Sequence, residues 1–211
     1  NPLTPIQLTI DRLKNKYSNE LDEKNKENFK ENLKIINNQI NQIEKLVNEF
    51  SDFARMPKPI FQKNDLVILM KDNIELLQEL DKTIKIEFKN NIKQILFNSD
   101  KEQLSRVFLN LIKNSIESIQ QKTEKVVNFN KIIAIELNDL NSHISLIIND
   151  NGVGFKDLNN IKEILNPYFT TKKQGTGLGL SIVNKIINDH NGNIEFISKE
   201  DGAIIKITLI K

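Results

Sequence analysis

Apolar residues recur at two different periods along the chain, and the change of period divides it. In the stretch Phe29, Leu33, Ile36, Ile40, Ile43, Val47 and Phe50 the spacing alternates between four and three, which is a heptad seam on one long helix. Leu3, Ile6, Ile10, Leu13 and Tyr17 predict an earlier helix, and the charged, Asn-rich stretch Ser18 to Asn28 reads as a loop between them. Each helix carries only one narrow stripe. Two such helices make a poor core by themselves, so two copies pairing into a four-helix bundle is the expected solution, with a hairpin packed on the rest of the chain as the alternative. Pro57 and Pro59 break the second helix. The reading is therefore a helical hairpin over 1–58 and a second domain over 59–211.

Beyond Ile60 the pattern predicts helices interleaved with strands. Asp65 caps a helix reaching about Leu80, and Ile84, Ile86 and Phe88 alternate as a strand, with a second short strand over Gln94 to Asn98. A long helix runs from Asp100 to about Gln121 with Leu104, Val107, Phe108, Leu111, Ile112, Ser115, Ile116 and Ile119 on its apolar side. Strands follow at Ile132 to Leu137 and Ile144 to Ile148, then a helix from Gly177 to about Asp189. A hairpin of Ile194 to Ser198 and Ile204 to Leu209 over Asp201 and Gly202 closes the chain. The order gives an α+β chain whose second domain is an α/β sandwich, helices covering one sheet face.

Composition narrows the chemistry. The 211 residues contain no cysteine and two histidines, which excludes thiolate zinc sites, disulfides and a cysteine nucleophile. A formal charge of +2, with only Arg12, Arg55 and Arg106 as arginines, is no nucleic-acid footprint. The longest apolar runs fall far short of the roughly 18 to 20 residues of a membrane span.

Three segments carry candidate chemistry. Asn110 and Asn114 stand one helical turn apart, so their amides share a face; amide oxygens are hard ligands that suit Mg²⁺, although surface asparagines at this spacing are common. Asp150-Asn-Gly-Val-Gly154 follows an apolar strand and places a carboxylate beside two bare backbones. It can accept from an exocyclic amino group while a flat ring approaches, or be a plain turn. Gly175-Thr-Gly-Leu-Gly-Leu180 opens a helix, where backbone N–H groups can point at phosphate oxygens or simply pack a tight loop. It is neither a Rossmann fingerprint, lacking a strand ahead of it, nor a Walker A loop, since Leu180 follows Gly179.

Taken in order with Pro167-Tyr-Phe-Thr-Thr171, these segments closely resemble the N, G1, F and G2 boxes of sensor histidine kinases. Asn1-Pro-Leu-Thr-Pro-Ile-Gln-Leu8 resembles the continuation of that family's phosphoacceptor box, and Glu49-Phe-Ser-Asp-Phe-Ala-Arg-Met-Pro-Lys-Pro59 the end of its second helix, in the wording of the nitrogen-regulation, NtrY-like branch. The resemblance implies a dimerisation and histidine-phosphotransfer hairpin followed by a Bergerat-type (GHKL) ATP-binding domain using ATP and Mg²⁺. Carried over by residue, it makes Asn114 the Mg²⁺ ligand, Asn110 its neighbour toward the phosphates, and Asp150 the reader of the adenine amino group. Gly152 and Gly154 would close around the base, and Phe155 to Gln174 would form a lid that Phe169 anchors in the core. Lys172 or Lys173 would approach the phosphates beside Thr171. Gly175, Thr176, Gly177, Leu178, Gly179 and Leu180 would line the triphosphate.

By the same pattern the phosphoacceptor histidine lies four residues before Asn1, and neither His143 nor His190 replaces it. Ala203 after Gly202 departs from the threonine common in relatives. The expected partners are a second copy of the chain in the intact parent, with a weakened dimer seam here, and an NtrX-like response regulator docking near Gln7, Asp11 and Lys14. The expected place is a cytoplasmic domain of a parent anchored in the bacterial inner membrane. Two rival readings share the fold: an ATP-hydrolysing relative, which would carry a glutamate at the position of Asn110, and a scaffold that uses no nucleotide.

Overall fold

A computed structural model describes residues 3–17, 21–124, 126, 128–155, 161–172 and 175–211. They form two compact units: Asn1–Met56 with Thr170–Thr176, and Pro57–Phe169 with Gly177–Lys211.

In the first unit, α1 (Thr4–Tyr17) and α2 (Glu23–Ala54) make the hairpin. The second helix starts six residues before the apolar period does. Asp22 accepts a hydrogen bond from the Asn25 backbone N–H at 2.9 Å, so a side-chain cap starts the helix where no apolar residue marks it. The expected loop to Asn28 is therefore corrected to a short link ending at Asp22. Ile10, Leu33 and Ile40 are buried, with Leu3 and Phe29 packed against them. Ile36, Ile43, Val47 and Phe50 of the same seam are 45 to 50% exposed. One hairpin thus covers only half of its own stripe.

The second unit contains β1 (Gln62–Asp65), α3 (Leu66–Gln78), β2 (Lys85–Asn90), β3 (Leu96–Ser99), α4 (Lys101–Thr123), β4 (Ile132–Asp139), β5 (His143–Asp150), α5 (Ile161–Ile164), α6 (Gly179–Asp189), β6 (Gly192–Ser198) and β7 (Ala203–Ile210). Five strands form one sheet in the order β2-β4-β5-β7-β6, and β1 pairs with β3 apart from it. Only β2 and β4 run parallel. Alternation sets the faces: Ile133, Ile135 and Leu137, then Ile144, Leu146 and Ile148, then Ile205, Ile207 and Leu209 are buried. Helices α3, α4 and α6 lie on that face, α4 in the middle. Each fully buried Leu or Ile contributes about 1.5 to 3 kcal/mol of burial. The register puts Asp150, last residue of β5, opposite Ile133 on one side and Ala203 on the other.

A polar junction fixes the start of α4 against the end of α6. The Nε2 atom of buried His190 accepts from the Asp100 backbone N–H at 3.0 Å, while Nδ1 lies 2.8 Å from the Ile186 carbonyl, so the proton sits on Nδ1. Phe61 meets the same ring edge-on at 5.1 Å. Asp100 caps α4 through the Gln103 N–H at 3.0 Å and holds the Ile60 N–H at 2.8 Å. The two helices that carry the candidate residues are thereby set against each other at the end away from Asp150.

Candidate functional site

Asp150 is the one buried carboxylate among the described residues, 4% exposed at the end of a central strand. One oxygen accepts from the Gly152 N–H at 2.9 Å and the other from the Ser115 hydroxyl at 3.1 Å. Burial pushes its carboxyl above the ordinary aspartate range, and the Gly152, Ser115, Lys199 and Ala203 groups pull against that shift. The two oxygens offer about four lone-pair sites, and the Gly152, Ser115 and Ala203 donors take three of them, which leaves room for one more donor. The loop that follows lies on α4. A Cβ on Gly152 would stand 2.6 and 2.8 Å from backbone atoms of Ser118 and Ile119, and the Val153 N–H reaches the Ser118 hydroxyl at 3.0 Å. Gly154 adopts φ +66, and a side chain there would meet the Gly202 carbonyl at 2.5 Å. Glycine is therefore required at both positions by close backbone approach.

Asn110 and Asn114 stand on α4. The Asn110 Nδ2 donates to the Arg106 carbonyl at 2.8 Å, which leaves its Oδ1 as the free end of the amide. That oxygen lies 3.1 Å from where a Cβ on Gly179 would be. Gly179 opens α6, preceded by Leu178 without a side-chain cap, so the N–H groups of the first turn have no acceptor within the helix. The helix begins at Gly179 and not at Gly177. Gly177 has φ +71, its carbonyl accepts from the Tyr168 N–H at 3.0 Å, and a Cβ there would strike the Tyr168 backbone at 2.4 Å. A left-handed residue cannot belong to the helix.

Asn110, Asn114, Asp150, Gly152, Gly154, Gly177, Leu178, Gly179 and Leu180 all belong to the second unit, with α4 running between its two ends. Thr171, Lys172, Gly175 and Thr176 fall in the first unit, where the Lys172 N–H donates to the Thr170 hydroxyl and the Thr176 hydroxyl donates to Glu49. Lys173, Gln174 and the lid stretch 156–160 lie outside the described residues. Phe169 corrects the reading of a core anchor: its side chain is 41% exposed, while Phe155 packs edge-on against buried Phe196 at 5.6 Å. Ser115 and Ser118 are residues that the sequence reading missed. Ser115 sits among apolar positions of α4 and reads as core, and only its three-residue step to Ser118, repeated by Asp150 to Val153, hinted at a paired surface.

Among the described residues no three His, Cys, Asp or Glu side chains gather as a metal cage. What α4 offers is a pair of amide oxygens, a donor set suited to a hard cation that draws its remaining ligands from phosphates and water. Neither histidine stands on the hairpin. His143 opens β5 beside the Ser142 hydroxyl, and His190 is locked at the end of α6.

Residues 99–211 match the family model of histidine kinase-, DNA gyrase B-, and HSP90-like ATPases, and residues 1–59 match the His kinase A phosphoacceptor domain. The chain belongs to the sensor histidine kinase family. The chain is 40% identical over 98% of its length to a Rickettsia prowazekii protein described as a putative NtrY-like sensor histidine kinase, covering 33% of that protein. It is 33% identical over 99% of its length to the nitrogen regulation protein NtrY of Azorhizobium caulinodans, covering 27% of it. The chain thus spans about a third of the length of the curated relatives it matches. Among solved structures, the nucleotide-free catalytic domain of histidine kinase ThkA matches at 28% identity with a TM-score of 0.63, over 72% of this chain and 96% of that one. ThkA in complex with the response regulator TrrA matches at 26% identity with a TM-score of 0.70, over all of this chain and 58% of that one.

Proposed function

We propose that the second unit binds ATP with Mg²⁺, and that the whole protein moves the γ-phosphoryl group to a histidine nitrogen and then to an aspartate of a response regulator. The observation that carries this is Asp150: a buried carboxylate with room for one more donor, set at a strand end beside two glycines that admit no side chain. In this reading its oxygen accepts from the adenine amino group, and the Gly152 to Gly154 backbone lies against the ring. Asn114 and Asn110 hold the cation with amide oxygens, and the open first turn of α6 at Gly179 and Leu180 donates to the phosphates. Bound Mg²⁺ would neutralise phosphate charge. Thr171, Lys172, Gly175 and Thr176 would complete the phosphate side when nucleotide is present, Lys172 as a point charge. In the transfer the bond from the γ phosphorus to the bridging oxygen breaks, a phosphorus–nitrogen bond forms, and ADP leaves. The protein contributes positioning and charge stabilisation.

The proposed organisation is a phosphotransfer and dimerisation hairpin over 1–58 and a catalytic domain over 59–211. The half-exposed seam of α2 supports a homodimer. The TrrA complex of ThkA supports a response-regulator partner, NtrX-like by the NtrY relatives, meeting α1 near Gln7, Asp11 and Lys14. No helix among the described residues is long and apolar enough to cross a membrane; anchorage in the inner membrane is proposed for the rest of the protein. An ATP-hydrolysing role is disfavoured because the Asn110 amide is no general base.

Calorimetric titration of ATP and ADP with Mg²⁺ tests the reading. Micromolar binding is expected, with Asp150→Asn weakening it at least about tenfold, the cost of one buried charge-assisted hydrogen bond. Asn114→Ala is expected to remove the dependence on Mg²⁺. Absence of binding in the intact chain, or rapid ATP hydrolysis that needs Asn110, overturns it.

A further inference from the structure

The loop that presents Asp150 is held by a stripe of side chains on α4 at three- and four-residue steps: Ser115, Ser118 and Lys122. The first two reach Asp150 and Val153. The third reaches further. The Lys122 Nζ donates to the Asn151 carbonyl at 2.8 Å, pairs with the Asp201 carboxylate, and lies over the Phe129 ring at 4.8 Å from its centroid. Its side chain is only 15% exposed, unlike a lysine extended into water. Both partners matter for Asp150. Asn151 follows it directly, and its own amide completes the strand edge by accepting from the Ile132 N–H at 3.0 Å and donating to Asn130. Asp201 precedes Gly202, which adopts φ +102 and sits so near that a Cβ would lie 1.9 Å from the Asp150 carbonyl. Gly202 in turn backs Gly154. One ammonium therefore bolts the end of α4, the loop after β5 and the turn between β6 and β7 together around a single carboxylate.

We propose that Lys122 is a positioning residue for base recognition: by holding the Asn151 carbonyl and the Asp201 carboxylate together it fixes where Asp150 meets the nucleobase, and so sets the preference for an amino-bearing purine. This rests on the reading of Asp150 as the adenine acceptor. A lysine suits the task because its three donors serve two oxygens on different loops while its stem packs on an aromatic ring. The residues at the phosphate end, Asn110, Asn114 and Gly179, lie two to three turns back along α4 or on α6. Loosening it should blur base discrimination and leave the cation end intact.

The test is calorimetry of the chain with Mg·ADP and Mg·IDP, the second carrying a carbonyl oxygen where adenine carries its amino group, on wild type, Asp150→Asn, Lys122→Met, Lys122→Arg and Asp201→Ala. Wild type should prefer ADP, and Lys122→Met should weaken ADP binding about tenfold, the scale of one charged hydrogen bond, while changing IDP binding little. Lys122→Arg should restore most of the preference. Asp201→Ala, at an exposed side chain whose loss cannot unfold the domain, should lower the preference in the same direction by about threefold. Unchanged ADP-over-IDP preference in both Lys122→Met and Asp201→Ala overturns the proposal, as does an equal loss of ADP and IDP affinity, which marks a merely structural tether. If Asp150→Asn leaves ADP binding and its preference unaltered, the adenine reading itself fails and the proposal with it. A loss in Asp150→Asn alone refutes only the role of Lys122.

Discussion

At Asp150 function and stability pull in opposite directions. Burial raises its carboxyl, against the donors Gly152 and Ser115. A folded state with a raised carboxyl binds more protons than the unfolded chain between the ordinary aspartate value and the raised one. Asp150 is therefore least costly to the fold in acid, and its cost grows as pH rises through that window and stays constant above it. Asp150→Asn keeps an acceptor for Gly152 and removes the charge. At neutral pH it should be more stable than wild type by about 1 kcal/mol, roughly 2 to 4 °C in Tm, while losing nucleotide, and the gain should vanish in acid. Nucleotide affinity of the wild type should fall on acidification sooner than an ordinary aspartate would predict. Melting curves and titrations across pH check both signs. The glycines separate in the same manner. Gly152→Ala drives a Cβ into the backbone of α4 and should cost about 1 to 3 kcal/mol. Gly179→Ala meets only the Asn110 amide, at 3.1 Å, in a helical position, so stability should hold and Mg²⁺-dependent binding should drop.

The central element is α4, whose start and middle were legible in the sequence for different reasons. Asp100 reads as a cap from its place before an apolar period, and it is one. Burial pushes its carboxyl up, yet the N–H groups of Gln103, Ile60 and Glu102 outweigh this and hold it low. The stability it contributes is present above the ordinary aspartate range and is lost as pH falls through the lowered value. Asp100→Ala should cost about 1 to 2 kcal/mol near neutral pH and progressively less in acid, read as urea midpoints. The elements that periodicity missed are those whose residues carry no apolar period. Strand β1 is Gln62-Lys-Asn-Asp65 and exists through pairing with β3; Asn25, Glu27 and Asn28 near the start of α2 are exposed; α5 is one turn long. The site was legible where glycine or asparagine is chemically required. Ser115 and Lys122 escaped because a small hydroxyl passes for core and a lysine for surface until the partner loops are in place. Phe169 shows the converse, a lid anchor implied by the family resemblance that stands exposed.

At the scale of the whole molecule, the residues proposed for base, cation and helix-start contacts all lie in the second unit, while the uncovered apolar stripe lies in the first. Ile36, Ile43, Val47 and Phe50 would each bury a side chain worth about 1.5 to 3 kcal/mol if a second hairpin covered them, against an association cost of several kcal/mol or more. Four such residues per copy, eight in a pair, suffice for association, and no core residue of the hairpin, Ile10, Leu33 or Ile40, belongs to the set. Ile43→Glu with Val47→Glu places charges on the exposed stripe without opening that core. The double variant should sediment and scatter as a monomer at concentrations where the parent chain is dimeric, raising the dissociation constant at least about a hundredfold, since four charges would be buried per dimer. Its helical content should be retained. Affinity for Mg·ADP should change less than about twofold, because Asp150, Asn110 and Asn114 take their places from the sheet and α4 within one unit. Equal dimerisation of the double variant would mean that the stripe faces something other than a second copy, and a parallel loss of nucleotide affinity would mean that the nucleotide site depends on the paired state.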